Sequence, residues 1–169
     1  MNISMYQASA PRFANTLKNL SAILDKAEAY AQMRKIDPLV LTSARLYPDM
    51  FALARQVQIA CDTAKGAVAR LAGLEIPKHE DTEKTLEELK ARIAKTLDFI
   101  GSVRPQQFAG AEERTIELKF PNATLRFSGR SYVTDFVLPN FYFHVTIAYA
   151  LLRHNGVEIG KQDFLGKIQ

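Results

Sequence analysis

The chain of 169 residues has a single cysteine, no tryptophan and only three histidines. One thiol, Cys61, cannot close an internal disulfide, so the core must hold the fold, and the cytoplasm is the expected compartment. No apolar run approaches the roughly 20 residues that span a bilayer. The opening MNISMYQASAPRF also lacks the basic start and apolar stretch of a secretory signal, so no membrane partner is expected. There is no glycine-rich phosphate loop, serine nucleophile elbow or paired-cysteine motif. Those absences argue against the common nucleotide and hydrolase chemistries, though not against enzymes in general, and no cofactor is implied. His79, His144 and His154 are too dispersed to announce a metal site.

Hydrophobic residues make up 47% of the chain and charged residues 24%, an ordinary globular composition. The length suits a single domain over residues 1–169, with a core large enough to need no staples. The net charge is +4. Lys and Arg are scattered, no basic–aromatic alternation appears, and the segment after His79 is rich in acid. This distribution argues against nucleic-acid binding and for a solvated mixed surface.

Hydrophobic periodicity predicts a mainly α fold, a four-helix bundle. Phe13, Leu17, Leu20, Leu24, Ala27 and Ala31 recur at helical spacing. Ser4 and Gln7 fit a capping box. Pro11 either bends a helix begun at Ser4 or sits harmlessly in the first turn of one begun at Ser9. Ile36 to Pro48 is long for a connection between adjacent antiparallel helices and predicts a crossover along the bundle. A second helix is expected from Asp49, its N-cap, with a seam of Met50, Ala54, Val57, Cys61, Ala64, Val68 and Leu71 ending near Gly73. A third is expected from Asp81 or Thr82, with Leu86, Leu89, Ile93, Leu97 and Ile100 as its stripe. Alternation in Thr115–Phe120, the turn residues Pro121-Asn122-Ala123, and Leu125 and Phe127 predict a small β-hairpin, with Tyr132–Phe136 as a possible extension. The last helix is expected after Pro139. It is apolar almost all round, so burial on several sides is expected.

His144 lies within that apolar helix, and Asn140 is one turn earlier on the same face. The simplest reading is a buried histidine bonded to a polar partner, either Asn140 or a group on a facing helix. A small-molecule pocket or a metal site is the alternative. Gln58 flanks the second helix's seam and can reach the interior, whereas Asp62 is expected to be exposed. Tyr6, Gln7 and Tyr142 are further candidates to line a cavity. Cys61, on the seam, reads as an inert core thiol.

The segments Ser4-Met5-Tyr6-Gln7 with Pro11-Arg12-Phe13, and Pro48-Asp49-Met50-Phe51 with Gln56-Val57-Gln58, carry a resemblance. So do Leu138-Pro139-Asn140-Phe141-Tyr142-Phe143-His144-Val145 and the ending from Leu152 to Gly166. They resemble the bacterial domain-of-unknown-function family numbered nineteen ninety-three, within the DinB/YfiT-like superfamily of four-helix bundles. The resemblance implies a DinB-like bundle, often a homodimer. Members of the wider superfamily bind a divalent metal through a helix-2 histidine and an HxxxH pair, and some are thiol-dependent transferases or hydrolases. Here Asn140 replaces the first histidine of that pair and the second helix has no histidine, so no metal is carried over. The leading expectation is a bundle protein that binds a small molecule in a polar pocket around His144, or acts through dimer-based interactions. The alternative is a metal-dependent transferase or hydrolase using His144, Asn140 and Asp49.

Overall fold

The computed structural model describes residues 3–167. A short helix α1, Met5–Ala8, is followed by α2, Ala10–Arg34, and the two Pro11 alternatives are reconciled. Ser4 and Gln7 form the capping box of α1. The chain breaks at Ser9 (φ −126°, ψ −80°), and Pro11 then falls in the first turn of α2, where its missing N–H costs nothing. Lys35, in the left-handed conformation, ends α2.

Helix α3, Pro38–Ser43, begins the connection to α4, Leu53–Ala72. The start of α4 corrects the sequence reading: Ala52, not Asp49, occupies the N-cap position, and Asp49 lies in an exposed turn. The physical reason is tertiary. The Leu53 N–H is taken by the Ala44 carbonyl at 3.0 Å, and the Gln56 side chain reaches back to the Phe51 carbonyl at 3.0 Å. Helix α5, Leu86–Ser102, likewise starts later than Asp81 or Thr82, with Thr85 and Glu88 forming its capping box. Asp81 cannot cap because Arg55 and Arg92 hold its carboxylate.

The strands β1, Thr115–Phe120, and β2, Ala123–Ser128, form the expected antiparallel hairpin, with Phe120 opposite Ala123 across Pro121-Asn122. Ile116 and Leu118 turn one face of β1 into the core. Tyr132–Phe136 does not extend the sheet. Helix α6, Gly129–Ser131, runs through a π-helical stretch, Tyr132–Val137, into α7, Leu138–His154. The helical run leading into the last helix therefore begins eleven residues before the expected start at Asn140. Pro139 has no N–H and its ring crowds the carbonyl one turn back. The widened turn, in which the Leu138 N–H reaches the Val133 carbonyl, lets the helix pass through it. Gly129 is required at the entry, since a Cβ there would lie 1.7 Å from the Ala111 carbonyl oxygen.

Helix α2 packs chiefly on α5, α5 on α4, and α4 on α7, while the consecutive long helices α2 and α4 touch only lightly. The connection between them is thus the crossover that its length implied. Phe13 and Phe141 meet edge to face at 4.8 Å, joining α2 to α7. The predicted α2 stripe and the α4 positions Val57, Cys61, Ala64, Val68 and Leu71 are all fully buried. Helix α7 is less enclosed than expected: Phe143 is 53% exposed, and Ile147 and Ala150 are half-buried. A final helix α8, Lys161–Leu165, docks on α2 and α7, with Asn19 donating to the Phe164 carbonyl and Tyr149 edge-on to Phe164. No helix among the described residues is long and apolar enough to cross a membrane.

Candidate functional site

His144 is buried between α7 and α4, and its partner is Gln56 of α4 rather than Asn140. Nδ1 of His144 lies 2.7 Å from Oε1 of Gln56, itself only 1% exposed. The Gln56 amide nitrogen donates to the Phe51 carbonyl, so its oxygen faces the ring and must accept. His144 therefore carries its proton on Nδ1 and presents Nε2 as a lone pair. Nε2 has no partner among the described residues, yet it is not sealed in. Among the described residues, the side-chain nitrogens that are both sealed and unpartnered are His79 Nδ1 and Arg92 Nε. Burial, then the nearby Arg55 charge, lowers the His144 pKa from its ordinary value and keeps the ring neutral. Phe143 packs edge-on against the imidazole at 5.2 Å, and Phe51 stands 54% exposed beside the Gln56 anchor. The arrangement is a fixed hydrogen-bond acceptor with one exposed aromatic ring, Phe143, packed beside it.

The other candidates lie elsewhere. Asn140 donates to Thr63 Oγ1 at 3.0 Å, further along α4. Gln58 is buried but turns to Glu83 and Arg55 at 3.0 and 3.2 Å. Tyr142 packs edge-on to Phe141, and Tyr6 packs edge-on to Phe108 at the far side of α1. Gln7 is spent on the α1 cap and Asp49 on its exposed turn. None of these is hydrogen-bonded to His144.

Sequence reasoning missed Gln56 and an ion network centred on a buried arginine. Arg92 of α5 is only 2% exposed and reaches Asp62, Asp81 and Glu83 at 2.8, 2.9 and 3.0 Å. Asp62, whose side chain keeps 37% of its surface exposed as expected, also accepts from buried Lys65 at 2.7 Å. Burial works against the Arg92 charge, but Glu83 and Asp62 outweigh it and raise its pKa. Burial likewise opposes the Asp81 charge, yet Arg55 and then Arg92 hold that carboxyl below its usual range. The spacing signal existed in both cases. Gln56 begins the i+4 row Ala60, Ala64, Val68, and Arg92 lies three after Leu89 and four before Thr96. Cys61 is fully buried, and burial pushes its thiol up to about 12, as befits a core side chain.

The metal chemistry of the wider superfamily can be tested on this donor set. The α4 residue facing His144 is an amide, Asn140 is committed to Thr63, and Asp49 lies in an exposed turn with no hydrogen bond to either. Among the described residues, no three His, Cys, Asp or Glu side chains converge as a metal site. The residues do not fit a divalent transition metal, which favours imidazole, thiolate or carboxylate over amide oxygen.

A crossed four-helix bundle, with a hairpin before the last helix and a polar pair between its second and last long helices, defines a DinB-like protein. The chain is similar to the crystal structure of a DinB family member protein from Shewanella denitrificans, at 48% identity and a TM-score of 0.88, covering 96% of this chain and 92% of that one. Residues 5–165 match the family model described as a domain of unknown function, DUF1993, and the chain belongs to that family. No curated protein matches it.

Proposed function

We propose that this DinB-like protein acts by binding a small molecule at His144. The observation that carries the reading is the Phe51–Gln56–His144 relay, which fixes the imidazole tautomer and leaves Nε2 as an outward acceptor. A ligand suited to this arrangement carries an N–H or O–H donor on a flat apolar body, which can pack on the exposed Phe143 ring. A panel of phenols and aromatic amides, followed through the ¹⁵N resonances of His144, tests it. Binding should move the Nε2 resonance and vanish in His144→Phe. A panel that binds elsewhere, or nowhere, removes the reading.

A second reading concerns assembly and setting. The half-covered apolar face of α7, with Phe143 exposed and Ile147 and Ala150 half-buried, favours a homodimer formed through that face. Light scattering at micromolar concentration should report twice the chain mass, and a monomer would refute this. A lone, buried thiol suits the reducing cytoplasm as the working compartment.

A further inference from the structure

Away from His144, the Ile76–Glu80 segment separates two neighbouring recesses, of about 580 and 370 Å³, both lined by Lys78, His79 and Glu80. The first is floored by α4 through Lys65, Gly66 and Arg70; the second reaches Lys95 on α5. The charges around them are unbalanced. Asp62 is held by Lys65 and Arg92, and Glu83 by Arg92, so these carboxylates are already neutralised. Glu80 is exposed and also lines both recesses. Against it stand Arg70, Lys78 and Lys95, none of which has a carboxylate partner among the described residues.

Two further features concern donors. His79 Nδ1 is sealed from solvent without a partner. An orphaned N–H there is less tolerable than an orphaned lone pair, so the ring proton belongs on Nε2. His79 then faces the recesses as a donor. Gly66 is buried mid-helix, where glycine is ordinarily unfavourable. A Cβ there would stand 2.7 Å from an Arg70 guanidinium nitrogen. Its bare backbone is what lets Arg70 fold over α4, where it donates to the Tyr132 hydroxyl at 3.1 Å.

We propose that the larger of these recesses is a binding site for a phosphoryl anion, gripped by Arg70 and Lys78 with His79 as a further donor. Arg70 from α4 and Lys78 and His79 from the segment beyond it line the same recess from separate elements, an arrangement suited to a tetrahedral anion with several acceptor oxygens. The site does not involve His144 and stands independently of the small-molecule reading there.

Isothermal titration with inorganic phosphate, at fixed ionic strength against chloride, tests the proposal on the whole chain. Saturable one-site binding is expected. Lys78→Gln should weaken it about tenfold, the effect of losing one charge-assisted contact. Gly66→Ala should weaken it comparably: it preserves net charge and favours the helix, but displaces the flexible end of Arg70. Lys18→Gln, an exposed charge on α2, should leave binding unchanged. Equal binding by the parent and Gly66→Ala, equal losses for Lys18→Gln and Lys78→Gln, or heats that never saturate would each overturn the proposal. Phenyl phosphate in the same titration distinguishes the source. Tighter binding than inorganic phosphate identifies an ester ligand, and weaker binding identifies the free ion.

Discussion

Replacing Gln56 by leucine keeps most of the side-chain volume and removes both of its hydrogen bonds. Gln56 is 1% exposed, so water cannot take over either role. The Phe51 carbonyl and the Nδ1–H of His144 would both be stranded. Leaving a buried polar group unsatisfied costs about 1–3 kcal/mol, and partial relaxation at Phe51 near the surface trims the sum to roughly 2–4 kcal/mol. Urea denaturation at pH 7.5 measures this. His144→Leu alone also strands the Gln56 oxygen, but the double replacement removes both partners, so its cost should fall short of the sum by about 1 kcal/mol or more. The relay also fixes a pH dependence. The folded-state pKa of His144 is lowered, so between that value and the ordinary 6.5 the unfolded chain binds more protons than the folded one. Stability is therefore full above pH 6.5 and declines as pH falls through the folded-state value. His79 shifts in the same direction, through burial and then the charges of Lys65 and Arg92, so the His144→Leu variant should retain a smaller acid sensitivity. A Gln56→Leu loss below 0.5 kcal/mol, with additive single-variant effects, would show that the relay does not exist in solution.

Emptying a core position should be costly in proportion to burial. Leu89→Ala, fully buried on α5, should lose about 2–5 kcal/mol in chemical denaturation. Ile147→Ala, only half-buried in the isolated chain, should lose much less unless an α7-mediated dimer covers it, so a concentration-dependent loss would identify that face as the interface. Cys61 should react with a thiol reagent only as fast as the chain opens, because it is sealed and its thiol is pushed up to about 12. Rapid labelling of the native protein would contradict its placement on the seam.

The legible parts of the fold are those governed by local rules. Helical spacing identified the buried stripe of α2 and most of those of α4 and α5, with Met50 falling before α4 and Ala54 and Leu97 only half-buried; strand alternation identified the hairpin, and the length of the Ile36–Pro48 segment identified the crossover. The errors fall where a tertiary contact overrides a local signal. Asp49 and Asp81 are good N-caps by residue type, but the Ala44 and Phe51 carbonyls set the start of α4, while Arg55 and Arg92 draw Asp81 into an ion network. Pro139 reads as a helix start, yet a π-helical turn carries the helix through it, and periodicity carries no sign of that widening. Part of the site was readable. A partner for His144 on a facing helix was among the expected arrangements, but the choice between Gln56 and Gln58 depends on the rotation of α4 against α7. A two-residue error there turns the side chain from the imidazole to Glu83.

That rotation makes a sharp prediction about metal. The parent chain should bind zinc or nickel weakly, because a tight site needs about three good ligands and only His144 among these residues supplies an imidazole. Asn140→His adds a second imidazole one turn from His144 on α7. The third must come from α4, and two positions compete for the role. Gln58→His would point toward Glu83 and Arg55 rather than toward the His144 ring, so combining it with Asn140→His should add little. Gln56→His would place an imidazole where the amide oxygen now stands, 2.7 Å from the His144 ring. Losing the Phe51 bond will lower stability, and circular dichroism checks that the helices persist. Calorimetric titration should rank the double variants with Gln56→His/Asn140→His well above both Gln58→His/Asn140→His and the parent. The reverse ranking would mean that α4 is rotated relative to the arrangement described. Stoichiometric zinc in the parent, lost in His144→Ala, would overturn the ligand argument altogether and restore a metal-dependent reaction with an unorthodox donor set.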